Sequence, residues 1–222
     1  MAAMAARDPR TSRQRAVDAT LLLLRRQGLA ATGMNEIVRD SRAPRGSIYH
    51  HFPGGKDELV IEALRAGGAV VAGLIRDTLA AHTDAAAALR AFIAIYVQNI
   101  RDSDFQQGCP VGNTAMDVAA SSGRIRRVCD EIFAGWAALM AEGLRRDGIR
   151  PADAEALAEF MLSSIEGALI LCRARRSTRP LERVADRMAA IIDTAARRPS
   201  RRETPARRAR RQRGSARSNR RS

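Results

Sequence analysis

Residues 37–52, with the sequence IVRDSRAPRGSIYHHF, constrain the fold of this chain more than any other segment. We predict that a first helix ends at about Ser41, that a turn follows at 42–43, and that a second helix begins at Pro44 or Arg45. Proline suits the first position of a helix because its missing N–H would have no intrahelical partner there. The segment is therefore predicted to form two short helices joined by a tight turn, which is a helix-turn-helix.

The second of these helices has one apolar face and one polar face. Ile48 and Phe52 lie four residues apart, so they share a face and can pack inward. The outward side carries cationic and hydrogen-bonding residues together with a glycine: Arg45, Gly46, Ser47, Tyr49 and His50. Entry into the major groove of DNA requires such a helix, because base edges there are recognised through hydrogen bonds. The pattern favours DNA binding, with a half-buried structural role as the alternative for Tyr49.

The rest of the chain shows helical periodicity. Apolar residues recur at intervals of three and four, and no segment alternates as a half-buried strand would. We predict an all-helical fold of about nine helices, two of them in the segment above. The others are predicted at 13–27, 56–81, 84–101, 113–120, 123–147, 151–174 and 180–197, with an irregular segment at 102–112.

Composition marks off the two ends of the chain. Twelve of the 38 basic residues and one of the 24 acidic residues lie in 197–222, so this end carries +11 of the formal charge of +14. We predict four parts: a flexible arm at 1–11, a helix-turn-helix domain at 12–55, a larger helical domain at 56–197 and a disordered arginine-rich tail at 198–222. The tail has three interpretations: a non-specific DNA-binding arm, an attraction to acidic surfaces, or a solvated extension without a role.

The cysteines and the hydropathy exclude several classes of protein. Cys109, Cys129 and Cys172 are far apart, odd in number and outside any C-x-x-C pair, which argues against a disulfide framework or a zinc site. No stretch approaches the roughly 20 apolar residues that span a bilayer, and the N-terminus lacks a signal-peptide run. We expect a cytoplasmic protein with no membrane partner, metal or cofactor. Cys109 is either a reactive thiol or a buried structural cysteine.

Ten positions in the first 70 or so residues form a recognisable set: Gly28, Thr32, Ile37, Gly46, Ile48, Tyr49, His51, Phe52, Lys56 and Leu59. Through them this part of the chain resembles the TetR family of transcriptional regulators. The loop at 52–56 and the segment at 108–112 resemble its LmrA/YxaF branch. The turn differs from the usual Ala-Gly-Val of the family, because Ser41-Arg42-Ala43 stands there, and Pro44 replaces the usual serine.

The resemblance implies a set of DNA contacts. Phosphate contacts set the register of a protein on DNA, whereas contacts to base edges read the sequence. Gly46 and Ser47 are expected to approach base edges, and Arg45 can also read a guanine. The expected phosphate contacts are Thr32, Arg45, Tyr49, His50 and Lys56.

The resemblance also implies a C-terminal domain for ligand binding and dimerisation. Glu166 lies in an apolar run, so its carboxylate requires a partner, a ligand or a subunit interface. The residues expected to line a ligand pocket are Cys109, Asn113, Met116, Phe133, Trp136, Met140, Ser163 and Glu166, although aromatic and Met residues at this spacing are also common in plain cores. The residues expected at a dimer interface are Gly167, Leu171, Val184, Met188 and Ile191.

These observations lead to a homodimeric, ligand-responsive DNA-binding regulator as the leading hypothesis. We expect a repressor on a pseudo-palindromic operator, with half-sites about 34–36 Å apart. A small apolar or cationic-tolerant effector would hold the two DNA-binding heads at the wrong spacing through the helix at 56–81. The alternative is an architectural, largely non-specific DNA-binding protein driven by the tail. An enzyme is disfavoured because no nucleophile–base or metal spacing is present.

Overall fold

The computed structural model describes residues 10–118 and 123–197, and within them it contains nine α-helices and no strand. The predicted all-helical fold is confirmed. The predicted tail at 198–222 and most of the predicted arm at 1–11 lie outside the described residues. The helices are α1 (Ser12–Gln27), α2 (Met34–Ser41), α3 (Arg45–His51), α4 (Gly55–Ala81), α5 (Ala85–Asp102), α6 (Pro110–Val118), α7 (Gly123–Arg146), α8 (Pro151–Arg175) and α9 (Arg179–Ala196).

Helices α1, α2 and α3 form a compact head that contains the predicted helix-turn-helix. Helix α1 packs against both α2 and α3 and also against the long α4. Ile37, Ile48 and Phe52 are buried and belong to the continuous hydrophobic core that includes Leu24 of α1. The inward face predicted from the four-residue spacing of Ile48 and Phe52 is therefore present.

The turn between α2 and α3 contains a non-glycine residue in the left-handed region. Arg42 has φ of +51° and ψ of 24°, a conformation that costs an ordinary side chain about 1–2 kcal/mol. Three hydrogen bonds hold the turn. The Ser41 hydroxyl accepts from the Ala43 N–H at 3.2 Å and donates to the Val38 carbonyl, while Arg15 Nε donates to the Ser41 carbonyl at 3.1 Å. Ser41-Arg42-Ala43 thus forms a tight turn without the glycine usual in the family.

The C-terminal domain is a helical bundle whose contacts join α4 to α7, α7 to α8, α8 to α9 and α5 to α9. Helix α6 packs against both α1 and α7, so it lies between the helix-turn-helix head and this bundle. It begins at Pro110, earlier than the predicted start at 113, and its predicted end at 120 lies outside the described residues. No helix in the described part of the chain is long and apolar enough to cross a membrane.

Candidate nucleic-acid interface and effector cavity

Helix α3 presents a polar surface on the side opposite its buried face. Tyr49 is 41% exposed, so its predicted alternative as a half-buried residue does not describe it well. Arg45, Gly46 and His50 are also exposed, while Ser47 is half-buried. A side chain added at Gly46 would meet open space, so another surface can approach the helix backbone at that point.

Arg45 is held in place before any DNA is bound. Its Nη1 donates to Asn35 Oδ1 of α2 at 3.1 Å, and its guanidinium carbon lies 5.7 Å from the centre of the Tyr49 ring. The cation–π arrangement restricts the rotamers of both side chains. Sequence reasoning did not identify Asn35, because the contact joins two helices across the turn and no pattern marks it.

Thr32 was expected to contact a phosphate, and the structure contradicts that assignment. Its side chain is 1% exposed, and its hydroxyl donates to the Gly28 carbonyl at 2.6 Å. The buried hydroxyl therefore stabilises the connector between α1 and α2. The direction of the Thr32 side chain depends on how this connector folds, which the resemblance does not specify.

Lys56 lies in the first turn of α4 and is half-buried. Its ammonium donates to the Leu29 carbonyl at 3.0 Å, which ties the α1–α2 connector to the start of α4. An ammonium group has three donors, so two of them stay free for a phosphate. The assignment of Lys56 as a phosphate contact stays a prediction, with a structural role added to it.

A cavity of about 320 Å³ lies between α6, α7 and α8. It brings together six of the eight residues expected to line a pocket: Cys109, Asn113, Met116, Phe133, Ser163 and Glu166. The other residues that line it were not anticipated: Gly108, Gly112, Ala115, Leu162, Leu169, Ile170 and Arg173.

Trp136 and Met140 do not line this cavity, contrary to expectation. Both are buried on the side of α7 that faces other helices: Trp136 Nε1 donates to the Gly68 carbonyl of α4 at 3.0 Å. Met140 lines a much smaller space beside Ile75 and Phe92. Helix α7 packs against α4 as well as α8, and the periodicity alone does not indicate which neighbour a given face meets.

Burial governs the acid–base properties of the cavity. It raises the pKa of Glu166 to about 7, and the neighbouring Cys109 thiol offsets a small part of that shift. Burial, followed by the nearby Glu166 carboxylate, also raises the pKa of Cys109 well above its ordinary value. A protonated thiol is a poor nucleophile, so the structure favours the buried, unreactive interpretation of Cys109.

Three residues of the cavity wall also bind the C-terminal end of α1. Asn113 Nδ2 donates to the carbonyls of Leu24 and Arg25, both at 3.0 Å. Arg173 Nη2 donates to the Arg26 carbonyl at 2.9 Å, and the Gly108 N–H donates to the Arg25 carbonyl at 2.8 Å. The carbonyls of Arg25 and Arg26 belong to the last turn of α1, where carbonyls lack intrahelical donors, so these bonds cap α1 from the other domain; the Leu24 carbonyl also accepts from the Gly28 N–H. We call this group, Gly108, Asn113 and Arg173, the α1 clasp.

The surface of α8 and α9 contains the residues expected at a dimer interface, with one exception. Gly167, Leu171 and Ile191 are exposed, and Val184 is half-buried. Met188 is only 2% exposed, because α9 turns it towards the core of its own protomer, so it cannot meet a second subunit directly. Phe160 and Ile170, exposed on α8 and missed by sequence reasoning, enlarge this apolar surface.

Comparisons with known proteins agree with this architecture. Residues 16–63 match the family model of bacterial regulatory proteins, tetR family, and residues 85–187 match that of the LmrA/YxaF-like transcriptional regulators, C-terminal domain. The HTH-type transcriptional regulator YxaF of Bacillus subtilis strain 168 is 34% identical over 181 residues, which cover 82% of this chain and 95% of that protein. LmrA of the same strain is 33% identical over 170 residues, covering 77% and 90%.

Solved structures share the fold. The regulatory protein TetR from Rhodobacter sphaeroides aligns with a TM-score of 0.74 at 25% identity, covering 81% of this chain and 97% of that one. A TetR transcriptional regulator from Legionella pneumophila aligns with a TM-score of 0.76 at 19% identity, covering 83% and 99%. The matched family and the relatives YxaF and LmrA are transcriptional regulators rather than enzymes, and the protein is accordingly a DNA-binding transcriptional regulator. It belongs to the TetR family, and its C-terminal domain is of the LmrA/YxaF-like type.

Proposed function

We propose that the protein is a homodimeric repressor that binds a pseudo-palindromic operator and releases it when a small molecule occupies the cavity between α6, α7 and α8. The α1 clasp carries this proposal. Asn113, Arg173 and Gly108 line the cavity and at the same time hold carbonyls of the DNA-binding head. A ligand that displaces any of them acts on α1 directly.

The clasp adds a second route to the one expected through α4. Val70, Val71 and Leu74 of α4 line a space of about 100 Å³ that shares Cys109, Gly108 and Leu169 with the effector cavity. Movement of the 108–109 segment would therefore change contacts with both α1 and α4. An effector changes the affinity for the operator measurably if it prefers the DNA-incompetent arrangement by about 1–3 kcal/mol.

Selection of bound DNA from a random pool, with the full chain at physiological salt, tests the regulatory role. An inverted repeat with half-sites about 34–36 Å apart supports a dimeric repressor. Recovery of DNA without any common sequence contradicts it and favours an architectural, tail-driven protein.

The clasp is tested by Arg173→Gln, with Arg175→Gln as the matched control on the same helix. Arg175 is exposed and has the same charge, but it makes none of the hydrogen bonds to α1. We expect Arg173→Gln to weaken operator binding at least about tenfold, since one charge-assisted hydrogen bond contributes about 1.5–3 kcal/mol, and Arg175→Gln to leave it nearly unchanged. Equal effects of the two variants would mean that only charge matters and that the clasp is irrelevant.

A further inference from the structure

Glu166 is the acidic residue of the effector cavity, and the described part of the chain gives it no cationic partner. None of the ion pairs among residues 10–118 and 123–197 includes it. Arg173 lies seven residues further along α8, about two helical turns away. Its guanidinium is turned to the Arg26 carbonyl at 2.9 Å and, more weakly, to Asn113 Oδ1 at 3.4 Å.

The surroundings of the Glu166 carboxylate are largely apolar, apart from the Cys109 thiol that bonds to it, and are shaped to receive it. A side chain on Gly112 would overlap the carboxylate, so the glycine makes room for it. Met116, Phe133 and Leu162 form much of the remaining wall. An ionised carboxylate in such a place is unfavourable unless an opposite charge joins it. Since the described residues form no ion pair with Glu166, a bound ligand would have to supply the positive charge.

We propose that this cavity binds an organic cation: a substituted ammonium group, paired with Glu166, on an apolar body that packs against Phe133 and Met116. This inference rests on the proposed function, because it names the chemical class of the effector. An anionic ligand fits less well, since Glu166 would repel it and the Arg173 guanidinium is already engaged by the α1 carbonyl. The aromatic face of Phe133 is also a favourable surface for a cation.

The affinity for a permanent cation should depend on pH through Glu166. Burial raises the pKa of Glu166 to about 7. Cys109 and Tyr96 lie close to it and also have raised pKa values, so neither ionises between pH 6 and 8. The cavity wall also contains Arg173 on α8, and Arg25 on α1 acts electrostatically on Tyr96. A cation prefers the ionised carboxylate, so binding should strengthen as the pH rises from 6 to 8 and should release a proton.

The test uses the full chain and two probes of nearly the same shape, the cation benzyltrimethylammonium and its neutral carbon isostere neopentylbenzene. Calorimetric titration at pH 8 should show the cation binding at least about tenfold more tightly than the isostere. Its affinity should fall about tenfold at pH 6, as expected for one carboxyl with a pKa of about 7. Equal affinity for the two probes at pH 8 would overturn the proposal.

Variants assign the effect to Glu166. Glu166→Gln should abolish the preference for the cation and its pH dependence, while Glu166→Asp, which keeps the charge, should retain both with reduced affinity. Glu159→Gln is the control, since Glu159 is exposed two turns earlier on α8 and does not line the cavity. Unchanged binding of the cation by a folded Glu166→Gln protein would overturn the proposal.

Operator release separates this inference from the proposed function. Binding of the cation through Glu166 without any effect on a recovered operator would support the ligand class and contradict effector-driven release. Release of the operator by a neutral or anionic molecule, equally in wild type and Glu166→Gln, would overturn the ligand class and leave the regulatory role intact.

Discussion

The DNA-binding head and the effector cavity are built from different kinds of sequence information. The exposed surface of α3 comes from a few consecutive residues on one short helix, and Ile48 and Phe52 fix its orientation. The cavity instead combines α6 with side chains of α7 and α8 that lie some 20 to 60 residues further along the chain. A local pattern thus defines the surface predicted to meet DNA, whereas packing between distant helices defines the cavity proposed to bind a ligand.

The largest effect on the DNA-binding head is expected from a substitution of Phe52, because the orientation of α3 depends on its side chain. Phe52 is 1% exposed, and the Arg13 guanidinium lies 5.6 Å from the centre of its ring. Phe52→Ala should destabilise the head by about 3–5 kcal/mol and abolish operator binding. Chemical denaturation followed by DNA-binding assays measures both effects. Leu22→Ala is the control because Leu22 is 39% exposed on α1, and it should leave the head and its stability nearly unaffected.

A pH experiment addresses the cavity side of the comparison. The folded-state pKa of Glu166, about 7, lies above its ordinary value of 4.5, so the folded protein holds a proton that the unfolded chain has already released. The associated stability is therefore present below pH 4.5 and is lost as the pH rises through 7. Glu166→Gln should remove this dependence and stabilise the protein at pH 8 relative to wild type by about 1–3 kcal/mol. Chemical denaturation at pH 5 and pH 8 measures the free energy of unfolding of both proteins. The same difference between wild type and Glu166→Gln at the two pH values would contradict the assignment.

Tyr49 offers a smaller effect confined to the DNA-binding surface. Its ring is exposed and supports Arg45, so Tyr49→Ala should change stability by less than about 1 kcal/mol while weakening operator binding about tenfold. Fluorescence anisotropy with a labelled operator measures the affinity, and thermal unfolding provides the control. Retention of full affinity would show that α3 does not meet DNA through this face.

The sequence predicts features that depend on one helix, such as the outward surface of α3, and does not predict which distant helices pack together around the cavity. The outward surface of α3 could be predicted because a single helical period orders its residues, Arg45, Gly46, Ser47, Tyr49 and His50, opposite the buried Ile48. Trp136 and Met140 were assigned to the cavity wrongly, because helix α7 contacts α4 as well as α8 and periodicity does not distinguish these neighbours. Arg173 was missed because a basic residue in the last turn of a helix is ordinarily explained by the helix dipole. Its actual partner, the Arg26 carbonyl, lies 147 residues earlier in the chain.

The smallest effect is expected from deletion of the arginine-rich tail. This deletion tests whether the DNA-binding head alone provides specificity for the DNA sequence. Deletion of residues 198–222 removes most of the formal positive charge without touching any residue of α3. The inverted repeat recovered from a random pool should be unchanged, because only contacts to base edges carry sequence information. The salt dependence of non-specific binding should become shallower, since each lost phosphate contact reduces the log–log slope by about 0.9. A contact set of roughly 8 phosphates for the two heads would leave a slope near −7 in the deleted protein. If the recovered sequence disappears with the tail, specificity does not reside in α3, and the head must be regarded as a scaffold for a tail-driven DNA-binding protein.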